Sequence, residues 1–225
     1  RLAGIPDDFT TQLALIAVIT VLISISVYRG LDGGIKQLSN INSSLALILL
    51  AIVLVLGPTQ FIAEMSLAAV GHGAQHFLQM LTWTDPLQND QFVENWTVFY
   101  WAWWLALGPF VGMFVCKISE GRTVRELIGG MLVWGSLGCA LFFMILGNFT
   151  LNLELTGQMP VVAETQSFSP SYALSHALTY LPGSSFWLLF VVVIGTIFTA
   201  TTYDSAAYTL AAGATDQLRP GQHPE

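Results

Sequence analysis

Six of nine consecutive residues near the middle of this chain are aromatic, in the run Trp96-Thr-Val-Phe-Tyr-Trp-Ala-Trp-Trp104, which continues Leu-Ala-Leu-Gly-Pro-Phe110. On a helix turning about 100° per residue, Trp96, Tyr100, Trp103 and Leu107 share one face. Phe99 and Trp104 flank that face, and Trp101 points away from it. Indole and phenol faces attract a cation through their quadrupoles, at about 2 kcal/mol or more per desolvated contact. A quaternary ammonium has a full charge but no N–H to donate, so ring faces are the groups suited to hold it. Two other readings use the same rings. Trp and Tyr collect at the headgroup level of a bilayer, which suits Trp96 at the start of the run. Trp103 and Trp104 lie about 10–12 Å deeper at 1.5 Å per residue, where such a belt does not reach. Packing against neighbouring helices is the third reading. Pro109 cannot donate to the carbonyl of Leu105. Gly108-Pro109 therefore marks either a break with a binding site beside it, as in discontinuous transporter helices, or a simple kink.

The elements that carry these residues follow from charge. The chain is 54% hydrophobic and 9% charged, against about 25% charged in an ordinary soluble domain. Five long runs, four free of charge and the fifth uncharged over Phe186–Tyr203 and continuing past Asp204, predict spans at about 9–28, 44–63, 96–116, 127–149 and 186–212. About 20 apolar residues cross a bilayer as a helix. If every run crosses, Arg29, Lys36, Lys117, Arg122, Arg125 and Arg219 fall on one side and only Arg1 on the other. The positive-inside rule makes the six-residue side the cytoplasm. The net charge of −7 comes mostly from acids in the outer connections, among them Asp85, Asp90, Glu94, Glu154 and Glu164. It argues against nucleic-acid binding, which needs a basic face.

Between the second and third spans, Met65, Leu67, Val70, Phe77 and Leu81 alternate with Glu64, His72, Gln75, His76 and Gln79. This predicts an amphipathic helix over 65–82 lying along the outer surface. The connection Thr150–Ser185 contains Pro160, Pro170 and Pro182 and predicts only a short helix, over Ser171–Tyr180. His72 and His76 have the spacing of a helical metal pair, but no third ligand accompanies them. Cys116 and Cys139 fall within spans and read as packing residues, not a disulfide framework. All four His lie in loops or the surface helix. That disfavours an enzyme embedded in the membrane, which would pair catalytic groups deep in the spans. Asp204, an acid near the inner end of the fifth span, is a functional candidate by its setting, with a gating or structural hydrogen-bond role. The chain begins without Met, and an odd number of spans suggests an internal fragment of a larger protein.

The run Asn95–Trp104, followed by Pro109-Phe-Val-Gly-Met-Phe114 and Lys117-Ile-Ser-Glu-Gly-Arg-Thr-Val-Arg-Glu126, resembles the signature of the betaine/carnitine/choline transporters. So does Gly30-Leu-Asp-Gly-Gly-Ile-Lys-Gln-Leu-Ser-Asn-Ile-Asn42, and the region of Asp204-Ser-Ala-Ala fits as well. The resemblance covers nearly the whole chain, residues 1–225, as one partial transporter domain. It implies an all-α membrane protein: five transmembrane helices of a LeuT-like inverted-repeat core plus the amphipathic surface helix, in a protein that is homotrimeric when complete. Trp103 and Trp104 match residues of the central aromatic box, and Trp96 and Phe99 match its outer approach. Leu107 stands where glycine-betaine members often have another Trp. Thr201 and Thr202 resemble a Thr-Ser pair that supplies hydroxyl ligands to sodium, and Phe110 matches an aromatic of a second sodium site. The bland reading of the two threonines is back-bonding to their own helix. The glycine-rich helix that completes both sites in the family has no match here. The resemblance implies secondary transport of betaine, choline, carnitine or dimethylsulfoniopropionate across the plasma (inner) membrane, with sodium as a possible coupling ion. A non-transporting sensor derived from the same fold is the alternative.

Overall fold

A computed structural model describes residues 8–30, 34, 36–86 and 91–214. Arg1, Asp90 and Arg219, and part of the Gly30–Asn42 loop, lie outside the described residues. Among the described residues every regular element is helical. Five stretches are long and apolar enough to cross a bilayer: Phe9–Ser26, Lys36–Leu56, Val93–Cys116, Val124–Leu155 and Phe186–Ala211.

Helix α1 is Phe9–Gly30. Its first turn is capped by Asp8, whose Oδ1 accepts the Thr11 N–H at 2.8 Å. That bond holds the Asp8 carboxyl below the usual carboxylate range. Helix α2 is Lys36–Leu56, not 44–63. The apolar run continues to Ala63, but Gly57-Pro58 interrupts it, because proline disfavours helical geometry in the residue before it. The Thr59 hydroxyl donates to the Leu54 carbonyl at 2.5 Å and satisfies one acceptor freed at this end. Gly57 is also a point of close approach, since a Cβ there would stand 3.3 Å from Cδ2 of Phe149.

The helix expected over 65–82 begins earlier and is divided. Helix α3 is Thr59–Gln75 and α4 is Phe77–Leu81, with His76 between them. Ile62 of α3 is buried, whereas Leu67, Val70, Phe77 and Leu81 are exposed. Ser66 anchors α3: its hydroxyl donates to the Ile62 carbonyl at 2.6 Å and accepts from Asn148 Nδ2 at 3.1 Å.

The aromatic span opens with a π-helical stretch, Val93–Val98, and continues as α5, Phe99–Ile118. It runs through Pro109 without interruption, so of the two readings of Gly108-Pro109, a break or a kink, the break does not occur. The fourth span is assembled from α6 (Val124–Gly130), α7 (Ser136–Phe142) and α8 (Asn148–Leu155), joined by π turns at Met131–Gly135 and Phe143–Gly147. Its start is a capping box. The Glu126 N–H donates to Thr123 Oγ1 at 3.3 Å, and the Thr123 N–H donates to Glu126 Oε2 at 3.0 Å. Two short helices follow, α9 (Val161–Ser167) and α10 (Pro170–Leu178), before α11, Ser184–Ala214.

The main core gathers Leu50 and Val53 of α2, Ile62 of α3, Phe149 and Leu153 of α8, Leu178 of α10 and Trp187 of α11. The Trp187 indole N–H donates to the Pro182 carbonyl at 2.6 Å, which ties the start of α11 to the connection before it. The Tyr180 hydroxyl donates to the Gln158 carbonyl at 2.9 Å, and His176 Nδ1 lies 2.8 Å from Glu164 Oε2. A separate contact joins α1 to α11, where the buried Ser26 and Asp204 meet. With the orientation set by Lys and Arg, the main core sits at the outer end and the α1–α11 contact at the inner end.

Candidate functional site

The aromatic residues sit on the outer half of α5 and the π stretch before it. Their rings form two ladders. Trp96 stacks on Tyr100 with centroids 6.0 Å apart and planes 16° apart. Phe99 tilts against Trp103 at 5.5 Å, and meets Tyr100 edge-on at 5.5 Å. Such spacings are those of ordinary favourable ring pairs. The i, i+4 contacts place Trp96 with Tyr100, and Phe99 with Trp103, as one continuous face. The π stretch under Trp96 has a wider turn than an α-helix, so Trp96 is not in the simple α register with Trp103.

None of these rings is buried. Trp103 is 51% exposed and Trp104 59%, and Leu107 at the lower edge is 37% exposed. Trp101 is exposed as well. The inner half of α5 differs: Phe110, Val111, Gly112, Phe114 and Val115 are half-buried, and α5 packs against α11. Met113 reaches to within 3.9 Å of where a Cβ on Gly213 would stand. The helix is thus anchored at its inner half and presents open ring faces at its outer half. Trp96 lies between Phe92 and Tyr100, with centroids 6.3 and 6.0 Å away, whereas Trp103 and Trp104 stay about half exposed, and a second wall would be needed to desolvate a cation against them.

Thr201 and Thr202 lie on α11. Thr201 is half-buried and Thr202 exposed. Both hydroxyls donate to the Phe198 carbonyl, at 2.8 and 3.0 Å. This is the back-bonded arrangement, which still leaves lone pairs on each hydroxyl oxygen for a further contact. His72 and His76 rings are 4.1 Å apart, and His76 Nδ1 lies 3.0 Å from the His72 carbonyl. Among the described residues no group of three or more His, Cys, Asp or Glu is placed to hold a metal. Cys116 and Cys139 are free thiols.

Three features were not read from the sequence. The π turns carry no compositional mark, although Gly135 and Gly147 end two of them. The capping box was written in Thr123-Val-Arg-Glu126, inside a motif read only for its likeness. The partner of Asp204, Ser26, lies 178 residues away and could not be found by spacing.

Five membrane-length helices with an open aromatic face define an integral, multi-pass membrane protein. The chain belongs to the betaine/carnitine/choline transporters: the model of the family described as "BCCT, betaine/carnitine/choline family transporter" matches residues 1–224. It is 35% identical over 224 residues to an uncharacterized transporter, YeaV, of Escherichia coli K12, covering 100% of this chain and 47% of that protein. It is 35% identical over 225 residues to a carnitine transporter of Acinetobacter baumannii, covering 100% of this chain and 41% of the relative. The glycine betaine transporter OpuD of Bacillus subtilis is 37% identical over 212 residues, 93% of this chain and 40% of the relative. The chain therefore spans less than half the length of these relatives. Members of this family reside in the cell's inner membrane, and the five spans fit that placement.

Proposed function

We propose that the transporter containing this chain carries a small quaternary ammonium or sulfonium solute, by secondary active transport, past the open face of α5. The observation that carries this reading is the set of half-open indoles, Trp103 and Trp104, on a span without charge. Carnitine and glycine betaine, named for two relatives, both present a trimethylammonium group that matches such faces. Trp103 and Trp104 form one wall of the site. Trp96, Phe99 and Tyr100 line the approach from outside, and Leu107 limits the lower edge. The opposite wall comes from a helix beyond this chain.

Thr201, Thr202 and Phe110 contribute to binding of a coupling sodium ion. Hydroxyl oxygens are hard donors suited to such an ion, and α5 and α11 pack together, with Met113 of α5 close to Gly213 of α11. Ion and solute sites would then share one pair of packed helices, which gives binding of one a route to favour the other. Family likeness further supports assembly as a homotrimer, and transport over a sensor role. In the full-length protein, Trp103→Ala with Trp104→Ala should abolish uptake of labelled solute while membrane insertion is kept. Uptake at the wild-type rate by that double variant would sink the proposal.

A further inference from the structure

His176 and Glu164 form a close pair that the transport reading leaves unused. Both belong to the outer connection between α8 and α11, with Glu164 on α9 and His176 on α10. His176 Nδ1 lies 2.8 Å from Glu164 Oε2 and 3.0 Å from Oε1. A carboxylate only accepts hydrogen bonds, so Nδ1 carries a hydrogen and donates it between the two oxygens. The His176 side chain is 30% exposed and that of Glu164 15%. Protons from the medium therefore reach the imidazole, while the bond itself is partly sheltered from water.

The pair matters because little else fastens α9. None of its residues is fully buried. Val161 leans on the outer core. The Val162 N–H donates to Glu154 Oε2 of α8 at 3.0 Å, and the Phe168 ring, just past α9, meets Tyr172 of α10 at 4.6 Å. Helix α10 is held differently, with Ala173, Ala177 and Leu178 buried in the core. A loosely held helix thus lies on a firmly held one, and the His176–Glu164 bond ties the first to the second. Helix α10 packs against α8, α9 and α11. The charged or titratable groups that face His176 from these elements are Glu154 on α8 and Glu164 on α9, and α11 brings none before Tyr203. Tyr172 and Tyr180 stand one turn before and after His176, with ring centroids 6.1 and 5.7 Å from the imidazole. No Lys or Arg lies on α8, α9 or α10, so His176 is the cation these elements can offer to Glu164.

We propose that His176 and Glu164 are a latch whose hold on α9 depends on the pH of the outer medium. Imidazole ordinarily changes charge between about pH 5 and pH 8. Below that range the imidazolium adds ionic attraction to its hydrogen bond with the carboxylate. Above it the ring has released one proton to water and keeps a single hydrogen. With that hydrogen on Nδ1 the bond persists without the ionic attraction, and with it on Nε2 the bond is lost. The hold on α9 is therefore firm in a mildly acidic medium and weakens as the pH rises through the imidazole range.

Hydrogen exchange of the purified full-length transporter in lipid reads the hold directly, as protection of the α9 amides after correction for the intrinsic pH dependence of exchange. In the wild type that protection should fall by at least about threefold between about pH 5 and about pH 8. His176→Gln keeps a neutral N–H donor and cannot titrate, so the fall should vanish. Glu164→Gln removes the anion and should flatten the response as well. The α10 amides should keep the same protection at both pH values. Equal protection of wild-type α9 at both pH values overturns the proposal, and so does a wild-type response that persists in His176→Gln. A fall shared equally by α10 is a general loosening of the outer end and overturns it too.

Discussion

Trp103 and Trp104 are neighbours about 100° apart on α5, so their indoles diverge and can flank a ligand that lies between them. Neither is consumed by packing within the described residues, as their exposure shows. Trp101 points elsewhere and is also open, which makes direction, not exposure, the property that separates it from the other two. The aromatic content of this face was legible in the sequence because a helix of known period orders residues by spacing alone. Thr201 and Thr202 were legible only through likeness, since their hydroxyls bond a carbonyl of their own helix. Their proposed role has a specific consequence. Removing an oxygen ligand from an ion costs about 1.5–3 kcal/mol, roughly tenfold or more in affinity. Thr201→Val with Thr202→Val should raise the sodium concentration for half-maximal uptake by at least about tenfold. Thr202→Ser, which keeps the hydroxyl, should leave it near the wild-type value. Sodium titration of uptake by full-length protein in vesicles checks both, and an unshifted midpoint in the double variant removes these threonines from the ion site.

At the level of elements, uncharged runs located all five spans, but their ends depended on features that hydropathy does not weigh. The second apolar run continues past Gly57-Pro58, so its helix ends at Leu56 and the residues after it open α3. The fourth span extends to Val124 and Leu155 because Thr123 caps one end and residues of α8 pack into the outer core at the other. The short helices α9 and α10 matter more than their length suggests, since Ala173, Ala177 and Leu178 of α10 are buried beside Trp187. Leu178 is 1% exposed, whereas Leu189 in the second turn of α11 is 65% exposed. Leu178→Ala should cost about 2–5 kcal/mol, and Leu189→Ala less than about 0.5 kcal/mol if its site stays outside any core. Thermal unfolding of the solubilised full-length protein measures the difference. Equal losses would contradict an outer core built around α10.

Across the whole molecule, the packing is divided between an outer core and an inner α1–α11 contact, with the aromatic face of α5 outside both. That distribution follows from chain order. Spans two and four end on the outside where span five begins, and span one ends on the inside where span five ends. Local sequence could not show it, because the deciding contacts join distant residues such as Ser26 with Asp204 and Gly57 with Phe149. The open face is what a transporter assembled from more helices would present to its remaining members, and this chain spans less than half the length of its relatives. The central claim is that the rings recognise positive charge, not merely apolar bulk. The direct measurement is equilibrium binding to the full-length transporter of a transported trimethylammonium solute against its neutral isostere, in which carbon replaces the ammonium nitrogen. Loss of the cation–π contribution, about 2 kcal/mol, predicts binding weaker by roughly thirtyfold, with the gap closing in Trp103→Leu with Trp104→Leu. Equal affinity of the two solutes for the wild-type protein would contradict the account.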